Sequence, residues 1–248
     1  VTTPTAAVLV IGSEVLSAKI RDENGPWLAR RLRDLGVDLR SISTVHDRMD
    51  DIVEAVDRER RRVDWLFTSG GVGPTHDDLT LAAVARALGR PLLRSADLEA
   101  ALRAMHRRHY GNDELPLAAL RMADVPQLTR LLGDATFPTL VVENVVMLPG
   151  VPEFLRFQFE GVAGMLAAAP FRLVSVYVGI GEDRLAPLLD RVALEHPAVE
   201  IGSYPRFDAA DHRVRVTFES KDPALVEAAV KALLELLPPE TVVRTEGR

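Results

Sequence analysis

The chain contains no cysteine. Disulfides, thiolate metal centres and cysteine nucleophiles are thereby excluded, and a cytoplasmic setting is the expectation. A basic excess is missing too: 30 Lys and Arg stand against 36 Asp and Glu, for a net charge of −6. That argues against a nucleic-acid partner, which calls for a basic surface. It leaves small anions open, because their sites depend on local charge. No apolar run reaches about 18 residues, so neither a transmembrane helix nor a membrane partner is expected. Val1-Thr2-Thr3-Pro4 offers no basic region ahead of an apolar stretch and does not read as a signal peptide. Internal repeats, low-complexity tracts and heptads are absent as well. What remains is 248 residues, 47% hydrophobic and 27% charged, the makeup of a soluble globular protein of one large domain or two modest ones.

One segment says most about function: Thr68-Ser69-Gly70-Gly71-Val72-Gly73-Pro74-Thr75-His76-Asp77-Asp78-Leu79-Thr80. It follows an apolar run, Val63 to Phe67, and precedes a helical pattern, Leu79 to Leu88. Glycines let the backbone approach a ligand closely. A helix starting just beyond such a loop offers free N–H groups and a positive dipole end to an anion, most often a phosphate. The same segment carries Asp77 and Asp78. A carboxylate about 4 Å from a phosphate is repelled by roughly 4 kcal/mol at an effective dielectric near 20. A divalent cation turns that repulsion into a bridge. The segment therefore reads as a metal-assisted phosphate site. The plain alternative is a strand–turn–helix connection with Asp caps.

The surrounding pattern alternates strand and helix. Ala6 to Ile11 reads as a doubly buried strand, Asn24 to Leu35 as a helix stopped by Gly36, and Leu39 to Val45 as a second strand. A helix carrying Ile52, Val53 and Val56 follows, ending in the basic run Arg58 to Arg62, a solvated helix end. Trp65 to Ser69 is the third strand. Such alternation predicts a mostly parallel sheet with helices on both faces and ligands at the carboxyl ends of the strands. Gly12-Ser13-Glu14, His46-Asp47 and Ser69-Gly70-Gly71 all fall at such ends. Further on, Ser95 to Tyr110 is expected to be helical, with Leu98, Leu102 and Met105 on one face. Gly111 to Pro138 is expected to be irregular, a cover for the site or an oligomer contact. Val141 to Leu148 reads as one strand, and Pro152 to Met165 as a helix burying Phe154, Phe157, Val162 and Met165. Beyond Ala169-Pro170 the order is β-α-β-β-α, with the last helix ending at Pro238-Pro239. This gives two domains, 1–169 and 170–248, the second a small α+β unit.

The glycine loop resembles the signature of the MoaB/Mog (molybdopterin-binding-like) fold. The run Gly-Gly-Val-Gly-Pro-Thr-His-Asp-Asp-Leu-Thr is more similar still to the N-terminal domain of CinA proteins (competence/damage-inducible) and to the corresponding domain of FAD synthase. Gly12-Ser13-Glu14-Val15-Leu16, Asp22 with Asn24, Arg121-Met122-Ala123 and Glu143-Asn144-Val145 also resemble motifs of this group. So do Leu148 to Glu153, Gly179-Ile180-Gly181-Glu182 and Ser203-Tyr204-Pro205. The resemblance spans nearly the whole chain and implies a three-layer sandwich with a mostly parallel sheet, followed by the small α+β domain. Departures exist: Ser17 and Asp183 replace a common Gly and Ser, and Asp77 stands where molybdopterin adenylyltransferases carry Arg. The amidase domain usual in CinA proteins and the adenylyltransferase domain of FAD synthases do not occur in these 248 residues, so neither activity carries over.

The resemblance implies divalent-metal-dependent cleavage of the pyrophosphate bond in ADP-ribose- or FAD-like dinucleotides. Asp78 matches the loop acid of the family, and with Asp47 and His76 forms the expected catalytic set. Glu14, Asp47, Asp77 and Asp78 are the expected ligands of magnesium, manganese or cobalt. Gly12, Ser13, Asn24, Ser69, Gly70, Gly71, Val72, Gly73, Thr75, Pro149, Gly150 and Tyr204 are the expected phosphate or nucleotide contacts, with Arg206 a further candidate. Each has a plainer reading. Asp47 and Asn24 could cap helices, Ser69 and Thr75 could bond only backbone, and Glu14 and His76 could be exposed loop residues. Tyr204 and Arg206 could simply pack a strand end. Two other functions stay open: molybdopterin binding or adenylylation, and a non-catalytic ligand-binding module. The expected partners are a small nucleotide or pterin and, from apolar residues on the Leu98 and Phe154 helices, further copies of the chain.

Overall fold

The computed structural model describes residues 3–112, 114–206 and 211–247, which divide into two compact units between Ala168 and Ala169. The first unit opens with β1 (Thr5–Ile11), α1 (Ser13–Leu16), α2 (Asn24–Asp34), β2 (Asp38–Val45), α3 (Met49–Arg60), β3 (Trp65–Ser69) and α4 (Thr80–Ala87). It continues through β4 (Leu92–Arg94), α5 (Ala96–Tyr110), α6 (Leu117–Leu120), β5 (Asp124–Pro126), β6 (Arg130–Leu132), β7 (Thr139–Val142), β8 (Val145–Leu148) and α7 (Pro152–Ala163). Six strands form one sheet in the order β2-β1-β3-β8-β7-β6. The first four run parallel, while β7 is antiparallel to both its neighbours.

Alternate residues of β1 face opposite sides of this sheet. Ala7, Leu9 and Ile11 pack with Ile52 and Val56 of α3, Val84 of α4 and Leu98 and Leu102 of α5. Ala6, Val8 and Val10 pack with Leu28 and Leu32 of α2 and Leu155 and Phe159 of α7. Two buried faces explain why β1 is apolar throughout rather than alternating. The result is the expected three-layer, mostly parallel sandwich. Helix ends follow local chemistry. Asp22 Oδ1 accepts from the N–H groups of Asn24 (2.9 Å) and Gly25 (3.1 Å), opening α2. Ser95 Oγ accepts from Leu98 N–H, and left-handed Gly111 ends α5.

Three expectations need correction. The apolar run 141–148 is a hairpin, β7 and β8, because Glu143 turns at φ +50°. Asn144 holds that turn by donating to the carbonyls of Arg60 (2.8 Å) and Val63 (3.0 Å). The stretch 111–138 is not simply irregular. It contains α6, β5 paired with β4, and β6 on the sheet edge. Finally, α7 buries Leu155, Gln158, Phe159 and Val162, whereas Phe154, Phe157 and Met165 are exposed. The helix carries two overlapping apolar stripes, and the sheet takes the one with Phe159.

The second unit runs β9 (Arg172–Val178), α8 (Glu182–Glu195), β10 (Glu200–Pro205), β11 (Val214–Ser220), α9 (Pro223–Leu236) and β12 (Val242–Gly247). Its strands pair antiparallel in the order β10-β11-β9-β12. Val174, Val176, Val178, Val214, Val216 and Phe218 pack against Leu185, Val226 and Leu233 of its two helices. The last strand, β12, goes beyond the expected β-α-β-β-α order. It is mostly exposed and polar after its first residues, so its pairing is not written in its composition. No helix among the described residues is long and apolar enough to cross a membrane.

Phe159 tests the packing of the α2/α7 layer. It is fully buried, with the rings of Trp27 and Phe67 each 5.5 Å away. Phe159→Ala is expected to lower the unfolding free energy by about 3–5 kcal/mol. Urea denaturation measures this, and a loss below about 1 kcal/mol, outside the range for a buried Phe, would contradict the packing described.

Candidate functional site

The site lies where the carboxyl ends of β1, β2, β3 and β8 meet. Gly12 N–H donates to the Val45 carbonyl and Gly70 N–H to that of Leu148, each at 3.1 Å. In the order β2-β1-β3 the chain leaves β1 on one side and returns on the other. The loops after β1 and β3 therefore diverge and open a crevice. A cavity of about 840 Å³ occupies this place.

Glycine is required at two points of its rim. Gly70 has φ +104° and Gly71 φ +68°. A Cβ on Gly70 would run into the Ile11 carbonyl oxygen, and one on Gly71 into the Thr80 hydroxyl. Thr80, fully buried, fastens the loop to α4. Its hydroxyl donates to the Gly70 carbonyl (2.7 Å) and its N–H to that of Gly71 (2.9 Å). Asp78 shapes the rest. Its Oδ1 accepts from Gly73 N–H (2.8 Å), and its Oδ2 from Thr75 N–H (2.7 Å) and the Thr75 hydroxyl (2.5 Å). The N–H groups of Gly71 and Val72 have no acceptor among the described residues.

Glu14, Asn24, Asp47, Ser69, the Gly70–Gly73 run, Thr75, Asp77, Asp78, Pro149 and Gly150 all line this one cavity. The expected acids thus share a wall. Among the described residues, however, no three His, Asp or Glu side chains gather as a metal-binding group. The protein alone does not build a metal cage here. Asp78 spends both oxygens within its own loop. Asp47 Oδ2 accepts from Ser13 N–H at 2.7 Å. It does not cap α3, whose N-cap is Arg48 with no side-chain bond. The Thr75 hydroxyl, then the backbone N–H of Asp77 itself, hold the Asp77 carboxyl below the ordinary aspartate range, with a smaller effect of His76. One hydroxyl carries one proton. Its 2.5 Å hydrogen bond goes to Asp78 Oδ2, which leaves Asp77 the less committed of the two carboxylates.

Gly12, Ser13 and His76 fall outside the cavity wall. Ser13 instead joins the β1 and β2 loops: its Oγ lies 3.2 Å from His46 Nδ1 and accepts from Asp47 N–H at 3.3 Å. His76 is 95% exposed, 3.8 Å from Asp77. Tyr204 belongs to β10 of the second unit, where the Arg215 guanidinium lies 5.0 Å from its ring centroid. Arg206 N–H donates there to the Arg213 carbonyl.

Asn24 is more than a cap. It is 7% exposed, and its Nδ2 donates to Ser69 Oγ (2.9 Å) and the Gly150 carbonyl (2.7 Å). That amide spans the loops after β3 and β8. The Gly150 carbonyl needs a donor, which fixes the amide's orientation. Because Ser69 Oγ accepts from Asn24, its own proton is available to a ligand. The wall the sequence did not reveal is apolar: Leu98, Leu102, Met105, Met122, Leu140 and Met147 on one side, Phe137 and Phe154 on another. Helical spacing marked Leu98, Leu102 and Met105 as one face, but nothing local told a cavity wall from a core.

If Asp78 is the organiser of the loop, Asp78→Ala frees the N–H groups of Gly73 and Thr75. Their amide hydrogen exchange is expected to quicken by at least about ten-fold, the worth of roughly 1.4 kcal/mol of lost hydrogen bonding. Unchanged exchange at these two amides would remove Asp78 from that role.

Comparison with known proteins gives the families of the two units. Residues 7–168 match the family described as "Probable molybdopterin binding domain", and residues 170–246 match "FAD synthase, middle domain". A "Probable FAD synthase" of Caenorhabditis elegans is 33% identical over 94% of this chain, which spans 50% of that relative. A "CinA-like protein" of Thermotoga neapolitana is 31% identical over 93% of the chain and 58% of its own length. The chain thus covers only about half the length of these relatives. Among solved structures, the protein CinA of unknown function from Thermoplasma acidophilum superposes with a TM-score of 0.59 at 28% identity. That match covers 66% of this chain and 98% of the other. With residues 7–168 matched, well over half its length, the chain belongs to the probable molybdopterin binding domain family, in its CinA-like subgroup.

Proposed function

We propose that the cavity binds a phosphate-bearing nucleotide or pterin, and that the chain hydrolyses the pyrophosphate bond of ADP-ribose- or FAD-like dinucleotides with a divalent cation. The observation that carries the reading is the pair of free N–H groups at Gly71 and Val72, in the wall of the cavity that Asp47 and Asp77 also line. Free backbone donors at such a rim suit a phosphate oxygen. The Ser69 hydroxyl, oriented by Asn24, adds a third donor. Asp78 keeps the loop in shape and is a positioning residue. The exposed His76 has no step in this reading.

The carboxylates present suit a cation that arrives with the phosphates better than a resident one. Magnesium is commonly held by one or two carboxylates together with phosphate oxygens and water. One or two of Asp47, Asp77 and Glu14, which line the cavity, would hold magnesium, manganese or cobalt, and such an ion would offset phosphate charge. In the overall reaction water adds to a phosphorus and the bridging P–O bond breaks. ADP-ribose yields AMP and ribose 5-phosphate, and FAD yields AMP and FMN. The dispersed acids also favour a second reading, a binding module for a molybdopterin-like ligand without turnover. Phe157 on α7 and Met165 just after it, exposed and outside the cavity wall, support an assembly of several copies, and the lack of cysteine accords with a cytoplasmic setting.

Incubation with ADP-ribose, FAD and ATP plus magnesium, manganese or cobalt is expected to release AMP. Asp77→Ala is expected to slow this by about two orders of magnitude, the scale of losing one charge-stabilising group. It is a cleaner probe than Asp78→Ala, which also undoes the loop. Nucleotide binding without AMP under all three metals would leave the binding module. Absence of nucleotide binding would sink the first reading, and absence of molybdopterin binding as well would sink both.

A further inference from the structure

The Phe154 and Phe137 rings are large, apolar and at the cavity wall, and the phosphate chemistry above uses neither. They are the two aromatic side chains among the cavity's lining residues. Phe154 is 51% exposed, although it sits on a twelve-residue helix whose other face is fully packed. The ring of Phe137 meets it at 70° with centroids 5.3 Å apart, and Phe137 also touches Phe157 at 6.1 Å. This edge-to-face contact steadies Phe154. The loop bearing Phe137 is itself pinned, since Asp134 Oδ1 accepts from the N–H groups of Thr136 (2.7 Å) and Phe137 (3.1 Å).

The opposite wall offers no aromatic face, and of its side chains Met105 is 40% exposed. Leu98, Leu102, Leu140 and Met147 are already buried by one another. Only surface still open can be covered by a ligand, and Phe154 holds the largest open ring of the wall. It also lies close to the phosphate end along the chain. Gly150, four residues earlier, packs so near the glycine loop that a Cβ on it would stand 3.4 Å from Gly70 Cα.

Resting on the phosphate reading above, we infer that Phe154, braced by Phe137, is a stacking shelf for the flat heterocycle of the ligand. The phosphate sits at the Gly70–Gly73 rim, and the nucleobase or fused ring lies against the shelf. The subsite recognises a planar ring through its π-face, and its preference between an adenine and a flavin half is set by the area covered.

Calorimetric titration tests this with AMP and FMN, which carry a ring, and inorganic phosphate and ribose 5-phosphate, which do not. None has a pyrophosphate bond, so turnover does not intrude. Phe154→Leu keeps an apolar side chain without the π-face. It is expected to weaken AMP or FMN by on the order of ten-fold, as base–aromatic stacking implies. Ribose 5-phosphate and phosphate should be unaffected, and Phe154→Trp should keep the ring-bearing ligands. A stronger loss for AMP assigns the shelf to the adenine half, and a stronger loss for FMN to the flavin half. Equal weakening of all four probes, or of none, overturns the shelf. So does a Phe154→Leu variant that changes only the assembly state. Wild-type protein that takes phosphate and ribose 5-phosphate but gains nothing from a ring removes the shelf and leaves the phosphate rim standing. Wild-type protein that takes none of the four removes the underlying reading and the shelf with it.

Discussion

Everything at this site depends on how closely the chain after β3 passes the end of β1. Gly70 lies against the Ile11 carbonyl with no room for a side chain between them. That approach sets the direction of the loop. Thr80 then secures it to α4, and Asp78 closes it on itself. The amides of Gly71 and Val72, without an acceptor among the described residues, are what remains once these internal bonds are made. A loop held so firmly loses little further freedom when an anion arrives, which lowers the entropic cost of binding.

The two faces of the central sheet divide the labour. The α3/α4/α5 layer supplies a dry aliphatic wall, and the α2/α7 layer supplies Asn24 and the beginning of the aromatic rim. Asn24 bridges the loops after β3 and β8 and, by donating to Ser69 Oγ, leaves the Ser69 hydroxyl proton for a ligand. The carboxylates sit around this core without converging. Under the proposed function, a phosphate ligand would bring the cation with it and complete its coordination.

Much of the first unit was legible. The apolar run Ala6–Ile11, the Asn24 helix with Gly36 after it, and the strand into the glycine loop are local signals, and local physics built them. Placing Gly12, Asp47 and Ser69 at strand ends sufficed to bring three loops to one edge. The failures share a cause: they concern long-range partners. The run 141–148 is apolar on both sides of Glu143-Asn144, and only the docking of Asn144 onto Arg60 and Val63 shows the turn. On α7, two apolar stripes compete, and the sheet's choice of Phe159 over Phe154 is a packing outcome. Asp78 stands apart from these: its acidity is visible in the sequence, whereas the N–H groups of Gly73 and Thr75 that it holds are not.

The sheet of the second unit places its last strand beside its first, since β12 pairs with β9 across the whole span of α8, β10, β11 and α9. During synthesis on the ribosome, β9 emerges early and keeps one flank bare until β12 appears. An uncovered strand flank is a template for pairing with the wrong chain. For that interval the nascent unit has to be kept from its neighbours, and a mutation that slows the arrival or docking of β12 would be felt first as aggregation during expression rather than as a weaker folded state.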